Sequence, residues 1–453
     1  MKPPYCVALV HYHLNGGGVT RIIEQQSQSL TELNIPHVIF CAENLLKLKL
    51  PHHLIPALQF SNNYDINDSS LILKEMKEYC LQHFSGLDTI YHFHNHSIGL
   101  NPYLEDIVYH LSRHHRTVLQ IHDFIEDGRS QNLHNVRHWD HLYPLAEHIQ
   151  YLTINSRDQS ILHSAGCSNC KVLSNSYRPL KISPTHISSI LFYPVQALRR
   201  QNIGEILLLS LFTPSQFSYA IGQTPEEYEP LVAFWQDIAS QLSLPILFDV
   251  ADKISPPATE GKSFATWYSA ASHIVTTSIQ EGFGMTFLEP LHFQKPLIGR
   301  DLPEITENIK QQGVNHPYLY TSILITPEVL CHIGVHAQEA LDFGTLTEKK
   351  QAAIITLFSQ QPNLKELCHV TQEGRHIPLT TFLNAFLTHA QPLEQHLIQP
   401  WTKELLKTHM ADIYTELMQK DMGPTTALNH HKISDVFDNQ PKFALKHTPL
   451  DIT

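Results

Sequence analysis

Short apolar runs alternate with longer amphipathic stretches over most of this chain. YCVALVHYHL (5–14), HVIFCA (37–42), DTIYHFH (88–94), TVLQIHDF (117–124) and IQYLTINS (149–156) each read as strands. Apolar positions in VTRIIEQQSQSLTEL (19–33) recur at helical spacing instead. Repetition of strand then helix predicts parallel βαβ units with right-handed crossovers. The rhythm breaks in the polar, proline-containing SYRPLKISPTHISS (176–189) and resumes with ILFYPVQAL, ILLLSLF, PILFDV, HIVTTS and PLIGR, all expected to be strands. From about residue 345 helices are expected to replace strands; WTKELLKTHMADIYTELMQ (401–419) is amphipathic and the polar end reads as a loose tail or clasp.

The expected architecture is therefore α/β. Two doubly wound, Rossmann-like parallel-sheet domains, 1–185 and 186–385, face each other across a cleft. Helices and a tail at 386–453 pack back on the first domain. Ligands of such folds bind outside the carboxyl ends of the strands.

Composition changes this picture little. A length of 453 residues, 42% hydrophobic and 16% charged, suits two or three ordinary globular domains. A net charge of −12 without a basic cluster argues against a nucleic-acid binder. The 32 histidines are scattered and read as compositional habit. Seven cysteines at irregular spacing fit reduced cytosolic thiols, and Cys167 and Cys170 form a CxxC with no second pair, a weak zinc signal. The apolar run near the start is too short for a signal peptide or a membrane span, so a cytoplasmic location is expected.

Candidate chemistry gathers at the strand ends. NGGGVTRI (15–22) lets backbone N–H groups, at Gly17 and Gly18 among others, approach a phosphate or sugar; a plain tight turn fits as well. In YHFHNHSIG (91–99), His92, His94 and His96 recur at period two and are expected to share one strand face. They are spread too widely for one tetrahedral metal and are read as polar cleft lining, with Asn95 and Asn101 toward ligand hydroxyls. LQIHDFIEDGR (119–129) places His122 and Asp123 where such a fold delivers its chemistry, ahead of Glu126, Asp127 and Arg129; a charged surface loop is the plainer reading. ALRRQNIGE (197–205) brings Arg199 and Arg200 after an apolar strand, residues suited to phosphate or simply to a surface.

EGFGMTFLEP (281–290) carries two acids eight positions apart. As one helix it would separate Glu281 and Glu289 by about 12 Å, too far for a glycosidase pair. Gly282 and Gly284 instead suggest a loop, with a helix starting near Met285 or Thr286. The exposed N–H groups at such an end favour an anion. Acids on either side of an anion site suit a nucleotide-sugar; two solvated acids on a flexible turn suit the same spacing.

Together these stretches resemble the GT-B glycosyltransferases of family 4, which are retaining and use nucleotide-sugars. SIQEGFGMTFLEP is similar to that family's E-x7-E signature, HIVTTS and KPLIGRDLPEI to its flanks, and GGVTRI to its glycine loop. The resemblance implies a hexosyltransferase with no obligatory cofactor or metal. A UDP-, GDP- or ADP-sugar would be the donor and a small molecule or glycan the acceptor, with peripheral membrane contact left open. It implies that Glu281 contacts the transferred sugar and Glu289 the ribose. Gly282, Phe283, Gly284 and Met285 cradle sugar and diphosphate, Gly17 and Gly18 approach the diphosphate or acceptor, and His122 lies beside the reacting carbon. His94, Asn95, His96 and Asp123 fall on the acceptor side. The family's diphosphate-clamping Arg and Lys correspond to Gln196 and Gln201, so Arg199 or Arg200 is expected to substitute. A silent GT-B binding protein and a GT-B phosphorylase or epimerase are the alternatives.

Overall fold

The computed structural model describes residues 3–15, 17–61, 66–127, 130–177, 179–180, 188–257, 259, 261–438 and 443–452. The linker expected near 185, Gly16 and Arg129 lie outside the described residues. The chain forms two compact units, Met1–Arg178 with Pro400–Gln440, and Pro179–Gln399 with Pro441–Thr453.

The first unit is built on a seven-stranded sheet of β1 (Tyr5–Val10), β2 (His37–Cys41), β3 (His52–Leu54), β4 (Asp88–His94), β5 (Thr117–Ile121), β6 (Ile149–Thr153) and β7 (Cys170–Val172). Their order is β3-β2-β1-β4-β5-β6-β7 and every pairing is parallel. Both faces of the central strands are covered, so these are largely apolar: Val10, Phe40 and Tyr91 pack on one side, Val7, Leu9 and Ile39 on the other. The strand order reverses between β1 and β4, and α1 (Gly18–Glu32) starts from the loop that leaves β1 there.

The second unit repeats the plan with β8 (Ser188–Gln196), β9 (Ser218–Gln223), β10 (Ile246–Leu247), β11 (Ala271–Thr276), β12 (Leu297–Arg300) and β13 (Tyr318–Tyr320). These six strands are parallel in the order β10-β9-β8-β11-β12-β13, reversing between β8 and β11. ILLLSLF is not a strand. It lies in α2 (Ile203–Phe212), of which only Leu211 is not fully buried. A helix apolar on all sides has no periodicity to betray it. The true neighbour strand is β9, SYAIGQ, which no apolar run announces.

Strands also persist beyond 345, contrary to expectation. β14 (Ser322–Ile325), β15 (Leu341–Asp342), β16 (Cys368–Gln372) and β17 (Arg375–Pro378) form a four-stranded antiparallel sheet. β16 and β17 are joined by Glu373 and Gly374, both at positive φ, which is the two-residue turn that closes a hairpin.

The segment expected to fold back as a whole from 386 is divided between the units. Residues up to Gln399 stay with the second unit, which also holds α3 (Met285–Phe293), whereas α4 (Lys403–Met418) lies on the first, burying Leu406, Met410, Ile413, Tyr414 and Leu417 against it. Residues 443–452 join the second unit, where Leu445 is buried and Arg199 donates to the carbonyl of Pro449. Among the described residues no helix is long and apolar enough to cross a membrane.

Candidate functional site

At the first unit's switch point, the histidines of β4 turn inward upon one another. His92 and His94 stack with ring centroids 4.6 Å apart, and His94 stacks on His122 at 5.4 Å. His94 Nδ1 and His122 Nε2 share one hydrogen bond of 3.0 Å. His92 bonds the Tyr414 hydroxyl of α4 at 2.7 Å and Gln120 at 3.0 Å. His11 Nδ1 donates to the carbonyl of His94. Burial drives the pKa of His11 and His92 to about 3 and that of His122 to about 4, the last opposed by the charge of Asp123. Burial holds His94 well below the usual histidine range. These rings are therefore neutral at pH 7.

His96 does not share their face. β4 ends at His94, Asn95 takes a left-handed conformation (φ 52°), and His96 turns away to donate to the carbonyl of Leu142. Asn95 ties the strand ends together. Its side-chain oxygen accepts from the N–H groups of His122 (2.8 Å) and Asp123 (3.0 Å), and its amide donates to Asp123 Oδ2 (3.0 Å). Its carbonyl accepts from Tyr12. His94 Nε2 and His96 Nδ1 are buried without a hydrogen-bond partner among the described residues, whereas the Asn95 side chain, expected to point at ligand hydroxyls, has partners within the protein. Asn101 is likewise engaged, donating to the carbonyls of Ala57 and Gln59. Glu126 accepts from Tyr143 at 3.0 Å, and burial raises its pKa to about 7.

A pocket of about 170 Å³ opens beside this cluster, lined by Tyr12, His13, Gly17, Gly18, Phe60 and Asn95 among others. Gly17, at φ 103°, ends the loop on which α1 starts with no side-chain cap and no acid in its first turn. Gly17 and Gly18 are both at the pocket wall. Phe60, Tyr12 and His13, none of them singled out by sequence patterns, complete it.

In the second unit the loops after β8 and β11 meet. The N–H of Ile279 donates to the carbonyl of Arg200, and Arg200 Nη1 donates to the carbonyl of Gln280 at 2.8 Å. This brings the guanidinium within 3.7 Å of Glu281, with the Arg200 side chain 39% exposed. Gly284, at φ 83°, caps α3, which starts at Met285 as the glycines suggest. Only glycine fits there, since a Cβ would lie 2.4 Å from Ile305. Gly282, Phe283 and Met285 are half-buried along the loop. No side chain caps α3, and the buried Thr286 hydroxyl in its first turn has no hydrogen-bond partner. Glu289, one turn further, accepts from the Tyr268 hydroxyl at 2.6 Å, while Tyr268 stacks on Phe293.

Arg199 does not reach this loop. Its guanidinium grips Glu348 through Nε (2.5 Å) and Nη2 (3.0 Å) and also bonds the carbonyls of Thr448 and Pro449. Of the two arginines, either of which is expected from sequence to substitute for the missing cation, Arg199 has Glu348 and the C-terminal segment as its partners. Gln201 is buried, accepting from Tyr193, and Gln196 is exposed at the end of β8. Cys167 and Cys170 are buried free thiols, and among the described residues no group of three His, Cys, Asp or Glu side chains could hold a metal.

Two doubly wound sheets, each with its candidate residues at the switch point, define the GT-B fold of glycosyltransferases. The chain is 24% identical over 385 residues to the mannosylglucosyl-3-phosphoglycerate synthase of Petrotoga mobilis, covering 76% of this chain and 74% of that protein. HepE of Anabaena in complex with UDP is similar in structure (TM-score 0.56, 12% identity, 91% of this chain and 100% of HepE). So is a glycosyltransferase from Rickettsia africae (TM-score 0.54, 12% identity, 92% and 99%). No family model matches.

Proposed function

We propose that this chain is a retaining glycosyltransferase of the family 4 type that moves a sugar from a nucleotide-diphosphate sugar to a hydroxyl acceptor. The observation that carries the reading is the second unit's EGFGM loop, where Arg200 is held beside Glu281 at the uncapped start of α3. The backbone N–H groups of Gly284, Met285 and Thr286, with the Thr286 hydroxyl, offer donors to a diphosphate, and Arg200 offers the cation. Glu281 accepts hydrogen bonds from the sugar and Glu289, steadied by Tyr268, from the ribose. Gly17 and Gly18 line an acceptor-side pocket, with Asp123 held near it by Asn95. His122 serves as a neutral contact rather than a proton shuttle, because its Nε2 is bonded to His94. The C1–phosphate bond breaks and the acceptor oxygen bonds C1 on the same face, while its proton passes to the leaving phosphate. UDP is the first nucleotide to test, since HepE of Anabaena was solved with UDP and with UDP-glucose. Free, largely buried cysteines suit a cytoplasmic location.

A second reading, a binding protein with little turnover, is favoured by one observation. Arg200 stands where the family uses two cations, because Arg199 is engaged elsewhere and Gln201 is buried. Thermal-shift measurements with UDP, GDP and ADP separate the cases, since a ligand specific for the folded state raises Tm. The transferase reading expects a shift with one diphosphate and turnover of the matching sugar donor. A shift without turnover supports the binding protein, and no shift with any of the three overturns both.

A further inference from the structure

The acceptor-side pocket of the first unit carries a chemical signature of its own. Its described lining residues include no Lys, Arg, Asp or Glu. Its only titratable walls besides Tyr12 are His11 and His13; burial takes His11 to a pKa of about 3 and lowers that of His13, so neither is cationic at pH 7. The charges bonded to the surrounding polar groups are carboxylates: Glu43 accepts from Asn15, and Asp123 from Asn95. Arg21, one turn into α1, is exposed and forms no part of the lining.

One wall is aromatic. Phe60 is 51% exposed although it lines the pocket, and it meets Tyr12 and His13 edge-on, each at 5.2 Å between ring centroids. These contacts fix the ring and leave a face available. Opposite in chemical character is the start of α1, where the N–H groups of Gly18 and Val19 have no carbonyl partner within the helix. Uncapped N–H groups serve an anion as readily as a hydroxyl. With no cationic side chain in the described lining, however, an apolar platform beside such donors matches a pyranose, which has one face of C–H groups and an edge of hydroxyls. About 170 Å³ is well below the ~300–1,000 Å³ of sites for larger ligands, so one ring fits rather than two.

We propose that the acceptor bound by this pocket is an uncharged sugar whose terminal ring stacks on Phe60, and not a phosphorylated or carboxylated glycoside. As an acceptor assignment this rests on the transferase reading; as a binding site it does not. The inference sets this chain apart from its Petrotoga mobilis relative, whose name specifies a phosphoglycerate product.

Saturation-transfer NMR on the full-length protein tests it, with methyl α-D-glucopyranoside, methyl α-D-mannopyranoside and methyl β-D-galactopyranoside as neutral probes and 3-phosphoglycerate as the anionic one. At least one neutral glycoside should show saturation transfer that 3-phosphoglycerate does not displace. Phe60→Ala should weaken that binding about tenfold, and Phe60→Trp should keep it. The side chain is half exposed, so unchanged Tm in Phe60→Ala serves as the folding control. Binding of 3-phosphoglycerate in preference to every neutral probe, no saturation of any of them, or indifference to Phe60→Ala would overturn the inference. UDP binding is measured on the same samples to keep the two proposals apart. UDP binding without neutral-sugar binding sinks the pocket assignment alone. Phe60-dependent sugar binding without any UDP, GDP or ADP effect supports the pocket and sinks the transferase.

Discussion

At the strand ends of the first unit, His94, His122, Asn95 and Asp123 hydrogen-bond one another beside the pocket, with Asn95 in its wall. At those of the second, Arg200 and Glu281 lie 3.7 Å apart on a loop that keeps helix N–H groups uncapped. Both regions use the same βαβ switch point. In one, side chains bond mainly to one another and hold the strand ends, although His94 Nε2 and His122 Nδ1 stay buried without a partner among the described residues; in the other, the Arg200 side chain stays partly exposed. Richness in ionisable residues is thus a poor guide to chemistry, and the difference lies in how deeply each polar group is buried among its neighbours.

The contrast breaks most sharply at Glu281 and Asn95. Glu281→Ala should lower sugar transfer about 10²–10³-fold, the scale for losing one transition-state contact, with little change in Tm. Steady-state kinetics with the matched donor would expose a wrong assignment if turnover stayed near wild type. Asn95→Ala removes three hydrogen bonds at once from a left-handed residue and should cost about 2–4 kcal/mol in urea unfolding. A loss below about 0.5 kcal/mol would mean that the strand-end network is not structural.

Acid should distinguish the two units next. His11, His92, His94, His96, His115 and His122 of the first unit all have pKa values pushed down by burial, against His273 and His316 in the second. A histidine with a depressed folded pKa binds its proton mainly when unfolded. Its stabilisation is present above about pH 6.5 and is lost as pH falls below that, by about 1.4 kcal/mol per pH unit for each ring. Glu105, Glu126 and Asp158, whose pKa values burial raises to between about 6 and 7, act in the opposite sense over the same range but are fewer. Hydrogen exchange at pH 5 should therefore show the first unit opening before the second. Equal loss of protection in both would contradict the neutral cluster.

The smallest expected effects separate two neighbouring arginines. Arg200→Ala should weaken UDP binding about tenfold with little change in Tm, as befits a cation facing a ligand. Arg199→Ala should do the reverse, lowering Tm by freeing the buried Glu348 and residues 448–449 while sparing UDP affinity. Identical behaviour of the two variants would erase the distinction.

Much of this could be read from the chain, and the failures share a cause. Most of the parallel strands are short apolar runs and α3 is preceded by two glycines that favour a loop, so both are visible locally. α2 looks like a strand because almost every residue of it is buried, leaving no polar face to set a period. His92, His94 and His96 alternate as a strand should, but the strand stops at His94 when Asn95 turns left-handed. The engagement of Arg199 depends on a segment some 250 residues away, and no local pattern encodes that contact. Phe60 lies outside any motif, and only the folded pocket reveals it.

The claim on which the account turns is that the EGFGM loop and Glu289 hold a nucleotide diphosphate. Isothermal titration of UDP into the wild-type chain, Glu281→Ala and Glu289→Ala tests it most directly. The account predicts that UDP binds the wild type, that Glu281→Ala keeps most of that affinity, and that Glu289→Ala loses at least about tenfold through the missing ribose contact. UDP that fails to bind, or that binds Glu289→Ala as tightly as the wild type, would contradict it.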